Sequence, residues 1–190
     1  MENENRKEMM KAVEKEFRDL KREVKVGAVD GKGTKEIEIE GRRFNVMGAE
    51  YWCAGLLEKL EKIVGQGAAG ILYRSGFEIG KEHFDFMDGS YEGSDYKLLG
   101  KYLGFLKFCG YGEISVDYRD DCMFLKVHDS PDAEEWMDMH DEERKVCHYL
   151  RGLFAGFLSS LKKVDVRVDE TQCRAEGFEN CLFRTEIEEG

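Results

Sequence analysis

Residues 164–183 read VDVRVDETQCRAEGFENCLF, and this stretch decides how the C-terminal part of the chain folds. The alternating valines predict a strand over Val164–Val168, and a second strand is expected over Leu182–Ile187. A polar loop with a glycine separates them, and Cys173 and Cys181 flank that loop. We therefore expect two terminal strands joined by a loop that carries a cysteine at each end.

Four residues near this loop could form a cluster: Cys147, Glu170, Cys173 and Cys181. Their spacing is not that of a standard zinc finger or zinc ribbon. One interpretation is three buried thiols that pack as small hydrophobic residues. The other is a metal site, since inert buried thiols are less expected beside a polar loop. Three thiolates and one carboxylate would supply the four ligands of a closed tetrahedral zinc site. The spacing alone leaves both interpretations open.

The composition excludes several classes of protein. The chain has 190 residues, of which 42% are hydrophobic, and this suffices for one domain with a sizeable core. Its 40 acidic residues outnumber 29 basic ones, which gives a net charge of −11. That charge argues against sequence-independent binding to nucleic acid or to anionic membranes.

The longest uncharged stretches also argue against membrane insertion. Ile63–Tyr73 and Gly152–Leu161 are both too short to span a bilayer. No basic segment followed by an apolar one opens the chain, so we expect a cytoplasmic protein. In that reducing compartment, the six cysteines are expected to be thiols or metal ligands.

Helical and strand patterns occur in blocks, which predicts an α+β fold with a largely antiparallel sheet packed with helices. In chain order we expect a helix over 3–24, a hairpin over 35–48, helices over 49–64, 68–87 and 95–109, a hairpin over 113–127, a helix starting at Ser130-Pro131, a helix over 142–161, and the two terminal strands.

Residues 1–24 are set apart as an N-terminal amphipathic helix, and 25–190 form the main domain. An apolar seam runs along this helix at spacings of three and four, and it consists of Met10, Val13, Phe17, Leu20 and Val24. The seam could lie on its own domain or could pair across a homodimer. Fewer than four heptads do not make a convincing coiled coil.

Pairs of glycines recur at a spacing of four in two predicted helices. Gly76 and Gly80 lie in one, and Gly152 and Gly156 lie in the other. Each glycine costs a helix about 1 kcal/mol relative to alanine, so some contact must need the space. The two helices could pack closely on each other, or the missing side chains could leave room for a ligand.

Four runs together resemble the 4-vinyl-reductase-type (hydrocarbon-binding) domain: LYRSGFEIG, KFCGYG, VCHYLRGLFAGFL and VDVRVDETQCRAEGFENCLF. The resemblance covers residues 44–187. That family shares its fold with the TRAPP subunits of Golgi transport and with haem nitric-oxide-binding domains. The resemblance therefore implies a TRAPP-subunit-like ligand-binding fold.

The resemblance also implies a structural zinc ion at the C-terminal end. In phenol-sensing regulators with this domain, zinc is held by Cys, Glu, Cys and Cys at matching spacings. The matching positions here are Cys147, Glu170, Cys173 and Cys181, and all four residue types are kept.

The chain departs from the phenol sensors at the two residues that hold the phenol hydroxyl. The sensors' His falls between Leu106 and Phe108, where this chain has no His, and their Trp falls on Val127. The ATPase and DNA-binding modules of those regulators are absent as well, so a role as a transcription factor is not implied.

We therefore expect a non-enzymatic, sensory or regulatory module that binds an apolar, hydrocarbon-like small molecule and forms a homodimer. The alternatives are a reductase or accessory protein for tetrapyrrole vinyl groups, and a dimeric scaffold with a vestigial pocket. No nicotinamide, flavin or phosphate-loop signature is present. The expected pocket walls are Tyr73, Phe77, Phe84, Leu106, Phe108, Val127 and Phe154.

Overall fold

The computed structural model describes residues 2–23, 25–29, 34–39, 42–44, 48–52, 54–88, 93–119 and 122–187. Within these ranges the chain is α+β, as predicted. The helices are α1 Glu2–Glu23, α2 Ala49–Trp52, α3 Ala54–Val64, α4 Gly67–Asp88, α5 Asp95–Phe108, α6 Pro131–Met139 and α7 His148–Lys162. The strands are β1 Lys25–Val29, β2 Thr34–Ile39, β3 Arg42–Phe44, β4 Glu113–Arg119, β5 Cys122–His128, β6 Val166–Gln172 and β7 Cys181–Ile187. No helix in these ranges combines the length and apolar content needed to cross a bilayer.

The strands form two antiparallel sheets. The first has the order β1-β2-β3, and its β2–β3 pair is the predicted first hairpin. Sequence analysis missed β1, and residues 45–47 of the predicted hairpin lie outside the described residues. The second sheet has the order β4-β5-β7-β6 and contains the predicted second hairpin, β4–β5. Both terminal strands therefore join that hairpin in one four-stranded sheet.

One face of the four-stranded sheet is apolar and buried. Val116, Leu125 and Phe183 lie on it, each at most 1% exposed. Helix α7 packs over this face, and its Phe154 ring meets the Phe183 ring edge-on with centroids 5.3 Å apart. The core of the protein therefore lies between α7 and the sheet.

Helices α4 and α7 pack backbone against backbone through the paired glycines. A Cβ atom on Gly76 would lie 2.2 Å from the carbonyl oxygen of Tyr149, and one on Gly156 would lie 1.9 Å from that of Phe77. Gly80 and Gly152 face equally close carbonyls. The close-packing interpretation is therefore confirmed. The interpretation that these glycines leave room for a ligand is wrong, because the opposite helix fills the space.

Helix α1 packs on α5 of its own chain. Met9 and Val13 are at most 1% exposed, and their carbonyl oxygens approach Gly100 and Gly104 of α5. Met10 is partly buried against the same core. Sequence analysis did not single out this second glycine pair. The Leu20 side chain and Val24 of the predicted seam lie outside the described residues.

The start of α7 differs from the prediction. We expected a helix from residue 142, but residues 141–147 are irregular and α7 begins at His148. Tertiary hydrogen bonds hold this segment open: the Trp136 indole N–H donates to the carbonyl oxygen of Glu142 at 2.8 Å, and the Arg144 N–H donates to that of Ala175 at 3.2 Å. Contacts with the rest of the fold thus override helical propensity here.

Candidate functional site

A β-bulge in β6 places two of the four predicted cluster residues on the same side of the chain. The register with β7 shifts between Glu170 and Gln172. In a regular strand Glu170 and Cys173 would point to opposite faces, because side chains alternate. The inserted residue changes this parity, so both side chains are buried while Thr171 and Gln172 are exposed.

The other two cluster residues come from the ends of neighbouring elements. Cys147 immediately precedes the first residue of α7, and Cys181 is the first residue of β7. A 3-10 turn over Arg174–Glu176, followed by Gly177 at φ 87°, carries the chain from β6 to β7. The Cys173–Cys181 loop thereby folds back onto the N-terminus of α7.

The geometry of the cluster suits a tetrahedral metal ion. The ligand atoms of Cys147, Glu170, Cys173 and Cys181 all lie within 4.8 Å of one another. The Sγ atoms are separated by 3.6 Å for Cys147–Cys181 and by 3.9 Å for the two pairs that include Cys173. Thiolates bound to tetrahedral zinc at about 2.3 Å lie about 3.8 Å apart. The cluster can therefore bind a metal without rearrangement.

The electrostatics of the cluster favour a cation at its centre. Glu170 is 4% exposed, and neither of its carboxylate oxygens has a hydrogen-bond partner among the described residues. Burial, reinforced by the neighbouring Cys173, raises the pKa of Glu170 to about 9. Burial also raises the pKa of Cys147. A buried acid without a donor is costly, and a bound cation would remove that cost.

The hydrogen bonds around the sulfurs stabilise one thiolate in particular. The thiols of Cys147 and Cys173 lower the pKa of Cys181 to about 4. The backbone N–H of Arg174 donates to Cys181 Sγ at 3.4 Å. This pattern is typical of a thiolate that is prepared to act as a ligand.

Sequence analysis missed one residue beside the cluster, Ser130. It was expected to cap the helix that starts at Pro131, and α6 does start there. The hydroxyl makes no cap hydrogen bond, however; it is fully buried and lies 3.4 Å from Cys147 Sγ. The same sequence signal, Ser before Pro, predicts the helix start but not the contact with sulfur.

The seven predicted pocket residues are divided between the core and one groove. Leu106, Val127 and Phe154 are at most 1% exposed and pack in the core. Tyr73 and Phe77 line an open groove of about 400 Å³ that also contains Arg151 and Asp165 and is bordered by α4, α7 and β6. Of the remaining two, Phe84 packs edge-on against Phe157, and Phe108 is partly exposed at the end of α5.

The position where phenol sensors carry a His is occupied by Lys107. Its ammonium lies 3.1 Å from a carboxylate oxygen of Glu14 and 3.6 Å from one of Glu113. It also lies 4.8 Å from the ring centroid of Phe17. Lys107 is thus held at the contact between α1 and α5.

Comparison with known proteins confirms the family resemblance. Residues 123–187, which include Glu170, Cys173 and Cys181, match the vinyl-4-reductase domain family. A curated relative, the uncharacterized protein MJ0745 of Methanocaldococcus jannaschii, is 34% identical over 116 residues. The match covers 61% of this chain and 55% of MJ0745, so the chain spans about half the length of that relative.

Three solved structures share the fold. The phenol-responsive sensory domain of the transcription activator PoxR, with phenol, has a TM-score of 0.75 at 18% identity, covering 92% of this chain and 90% of that domain. A vinyl-4-reductase family protein from Methanocaldococcus jannaschii has a TM-score of 0.54 at 17% identity, covering 77% and 85%. A trafficking protein particle complex subunit 3 from Naegleria fowleri, covalently bound to palmitic acid, also has a TM-score of 0.54, at 12% identity, covering 74% and 95%. The TRAPP-subunit-like fold predicted from the sequence is therefore confirmed.

Proposed function

We propose that this chain is a sensory or regulatory domain that binds an apolar small molecule and is stabilised by one structural zinc ion. The observation that carries the proposal is the buried three-cysteine, one-glutamate cluster within a fold shared with the phenol-responsive domain of PoxR. Two neighbours of this fold hold small apolar or aromatic molecules, phenol in one and palmitic acid in the other.

The zinc would be held by Cys147, Glu170, Cys173 and Cys181. Four protein ligands leave no open position for water or substrate, which is typical of a structural site. The ion would join the N-terminus of α7 to β6 and β7, which are the elements that cover the core. It would also supply the positive charge that buried Glu170 lacks.

The ligand is expected to be more apolar than phenol. A buried hydroxyl without a partner costs about 1–3 kcal/mol on protein mutational scales. Lys107 is engaged by Glu14 and Glu113, and Val127 is fully buried, so neither replaces the anchors of the phenol sensors. Apolar surface gains roughly 25 cal/mol per Å² when it is buried. Fatty or isoprenoid-like compounds should therefore stabilise the protein more than simple phenols.

A thermal-shift panel tests this preference. Phenol and catechol are compared with long-chain fatty acids and isoprenoid alcohols at equal concentration, and native mass spectrometry of the purified protein reports bound metal and retained ligand. A larger shift with the long-chain compounds supports the proposal. A larger shift with phenol would contradict the selectivity, and a flat response with no retained ligand would favour the scaffold alternative.

A reductase is the second candidate function, and the structural similarity to a vinyl-4-reductase family protein is what favours it. Under our proposal the chain has no catalytic residues, so incubation with a vinyl-bearing tetrapyrrole and a reduced nicotinamide or flavin should give no product. Turnover in that assay would replace the binding proposal with the enzymatic one.

We also propose that the protein is a cytoplasmic homodimer. The proposal now rests on the resemblance to dimeric domains, because the covered part of the α1 seam no longer requires a partner. Met9 and Val13 are buried against α5 of the same chain.

A further inference from the structure

A cavity of about 200 Å³ lies between α5, α7 and the end of the four-stranded sheet away from the cysteine cluster. The side chains that form its floor are apolar and at most 9% exposed. They are Leu99, Met123, Leu158, Leu161 and Val166. None of the seven predicted pocket residues lines it. The cavity is therefore separate from the expected pocket and from the cluster.

The cavity lies where β5 and β7 stop pairing. Their register runs from Val127–Cys181 to Phe124–Arg184. Beyond that point the Met123 N–H donates to the side-chain oxygen of Thr185 at 3.1 Å. Thr185 is 6% exposed and stands in line with the apolar residues of the buried face. A short side chain at this position, already engaged with the backbone, leaves space beneath α7.

The mouth of the cavity is aromatic and carries no net charge. The Tyr96 and Tyr118 rings meet edge-on with centroids 6.1 Å apart. The Lys162 ammonium lies 5.8 Å from the Tyr96 centroid and 3.8 Å from a carboxylate oxygen of Asp95. The two opposite charges at the rim therefore partner each other, and nothing in the lining calls for a charged ligand.

We propose that this cavity binds a compact, uncharged, apolar molecule of one or two rings. A cavity of about 150 Å³ lined by aliphatic and aromatic side chains is large enough to bind benzene. This one is somewhat larger and has a comparable floor, with tyrosine rings at the mouth to stack against a planar ligand. The inference rests on the proposed ligand-binding function and gives it a location.

Naphthalene is the probe for this site, and Met123 is the reporter. The protein is labelled with ¹³C at its methionine methyl groups, and the Met123 signal is assigned with Met123→Leu. Naphthalene should shift the Met123 methyl in a saturable manner. The Met137 methyl should stay unchanged, because that side chain is 40% exposed and lies outside the lining.

Two cysteine variants form a matched pair. Cys122 lines the cavity and is partly exposed, whereas Cys109 is an exposed free thiol outside the lining. Cys122→Phe should weaken naphthalene binding by about tenfold or more, because a ring at this position takes up part of the cavity. Cys109→Phe should leave the affinity unchanged.

The outcomes separate this inference from the proposed function. Naphthalene binding without a Met123 shift, or with equal affinity in Cys122→Phe, would overturn the cavity and leave ligand binding intact. If naphthalene does not bind, the cavity is also overturned, and the long-chain panel decides separately on the proposed function. Because the methyl signal is read in the unmodified chain, the test stands even if Cys122→Phe does not fold.

Discussion

Thr171 determines whether the metal cluster can form, although its own side chain points outward. As the extra residue at the bulge, it brings Glu170 and Cys173 to the same side. Its hydroxyl donates to the carbonyl oxygen of Leu182 at 3.0 Å, which anchors the bulge to β7. A cluster of this kind therefore depends on backbone irregularity as much as on its ligand residues.

Cys173→Ser should abolish metal binding and destabilise the fold. A structural metal contributes its binding free energy to folding, and the variant would leave a buried acidic cluster without its cation. We expect zinc to fall from about one ion per chain toward zero, and the free energy of unfolding to fall by about 3 kcal/mol or more. Elemental analysis and denaturant titration measure both quantities.

Cys109→Ser is the control, because Cys109 is an exposed thiol outside the cluster. Glu170→Gln should have a smaller effect than Cys173→Ser, since a water or a nearby carboxylate can replace the lost ligand. Asp132 is buried close enough to contribute to the raised pKa of Glu170. Metal-free wild-type protein with the stability of untreated protein would refute a structural zinc.

The sequence was sufficient to identify the four cluster residues but not how they meet. Spacing and family resemblance pointed to Cys147, Glu170, Cys173 and Cys181, and the structure places their ligand atoms within 4.8 Å. The position of Ser130 beside Cys147 could not be read from sequence, because Ser before Pro is equally the signal of a helix cap.

At the scale of elements, the glycine pairs determine how the helices approach. A substitution at Gly156 should be severe, because a Cβ atom would lie 1.9 Å from the carbonyl oxygen of Phe77 and neither backbone can yield alone. We expect Gly156→Ala to lower the free energy of unfolding by about 3 kcal/mol or more. Thermal and denaturant unfolding measure the change.

Gly70 of α4 provides the matched control. It is exposed, and a Cβ atom added there would have no atom within 4 Å outside its local helix. Gly70→Ala should therefore stabilise the protein by about 0.5–1 kcal/mol, the normal preference of a helix for alanine. Equal effects of the two substitutions would show that α4 and α7 are not in backbone contact.

The elements that sequence analysis predicted best are those whose pattern reflects the core directly. Helices α4 and α5 and the β4–β5 hairpin lie within one residue of the expected bounds. The prediction was wrong for residues 142–147, where hydrogen bonds from Trp136 and to Ala175 replace helical ones. Such contacts join residues far apart in sequence, so no local pattern reveals them.

At the scale of the whole molecule, the homodimer remains a prediction. Light scattering at micromolar concentration should give twice the 21.9 kDa mass of the chain. A monomer mass would contradict it and would also remove the last support for the dimeric scaffold alternative.

Deletion of residues 1–24 distinguishes the two roles proposed for α1. The structure assigns its buried face to α5, so deletion should uncover the surface that Met9 and Val13 now cover. Burying two such side chains contributes roughly 3 kcal/mol or more, so the truncated chain should unfold at a markedly lower temperature. Lys11→Ala, on the exposed side of α1, should change neither stability nor mass. If truncation instead halves the mass and leaves the melting temperature unchanged, α1 acts across a dimer, and its packing on α5 does not stabilise the chain.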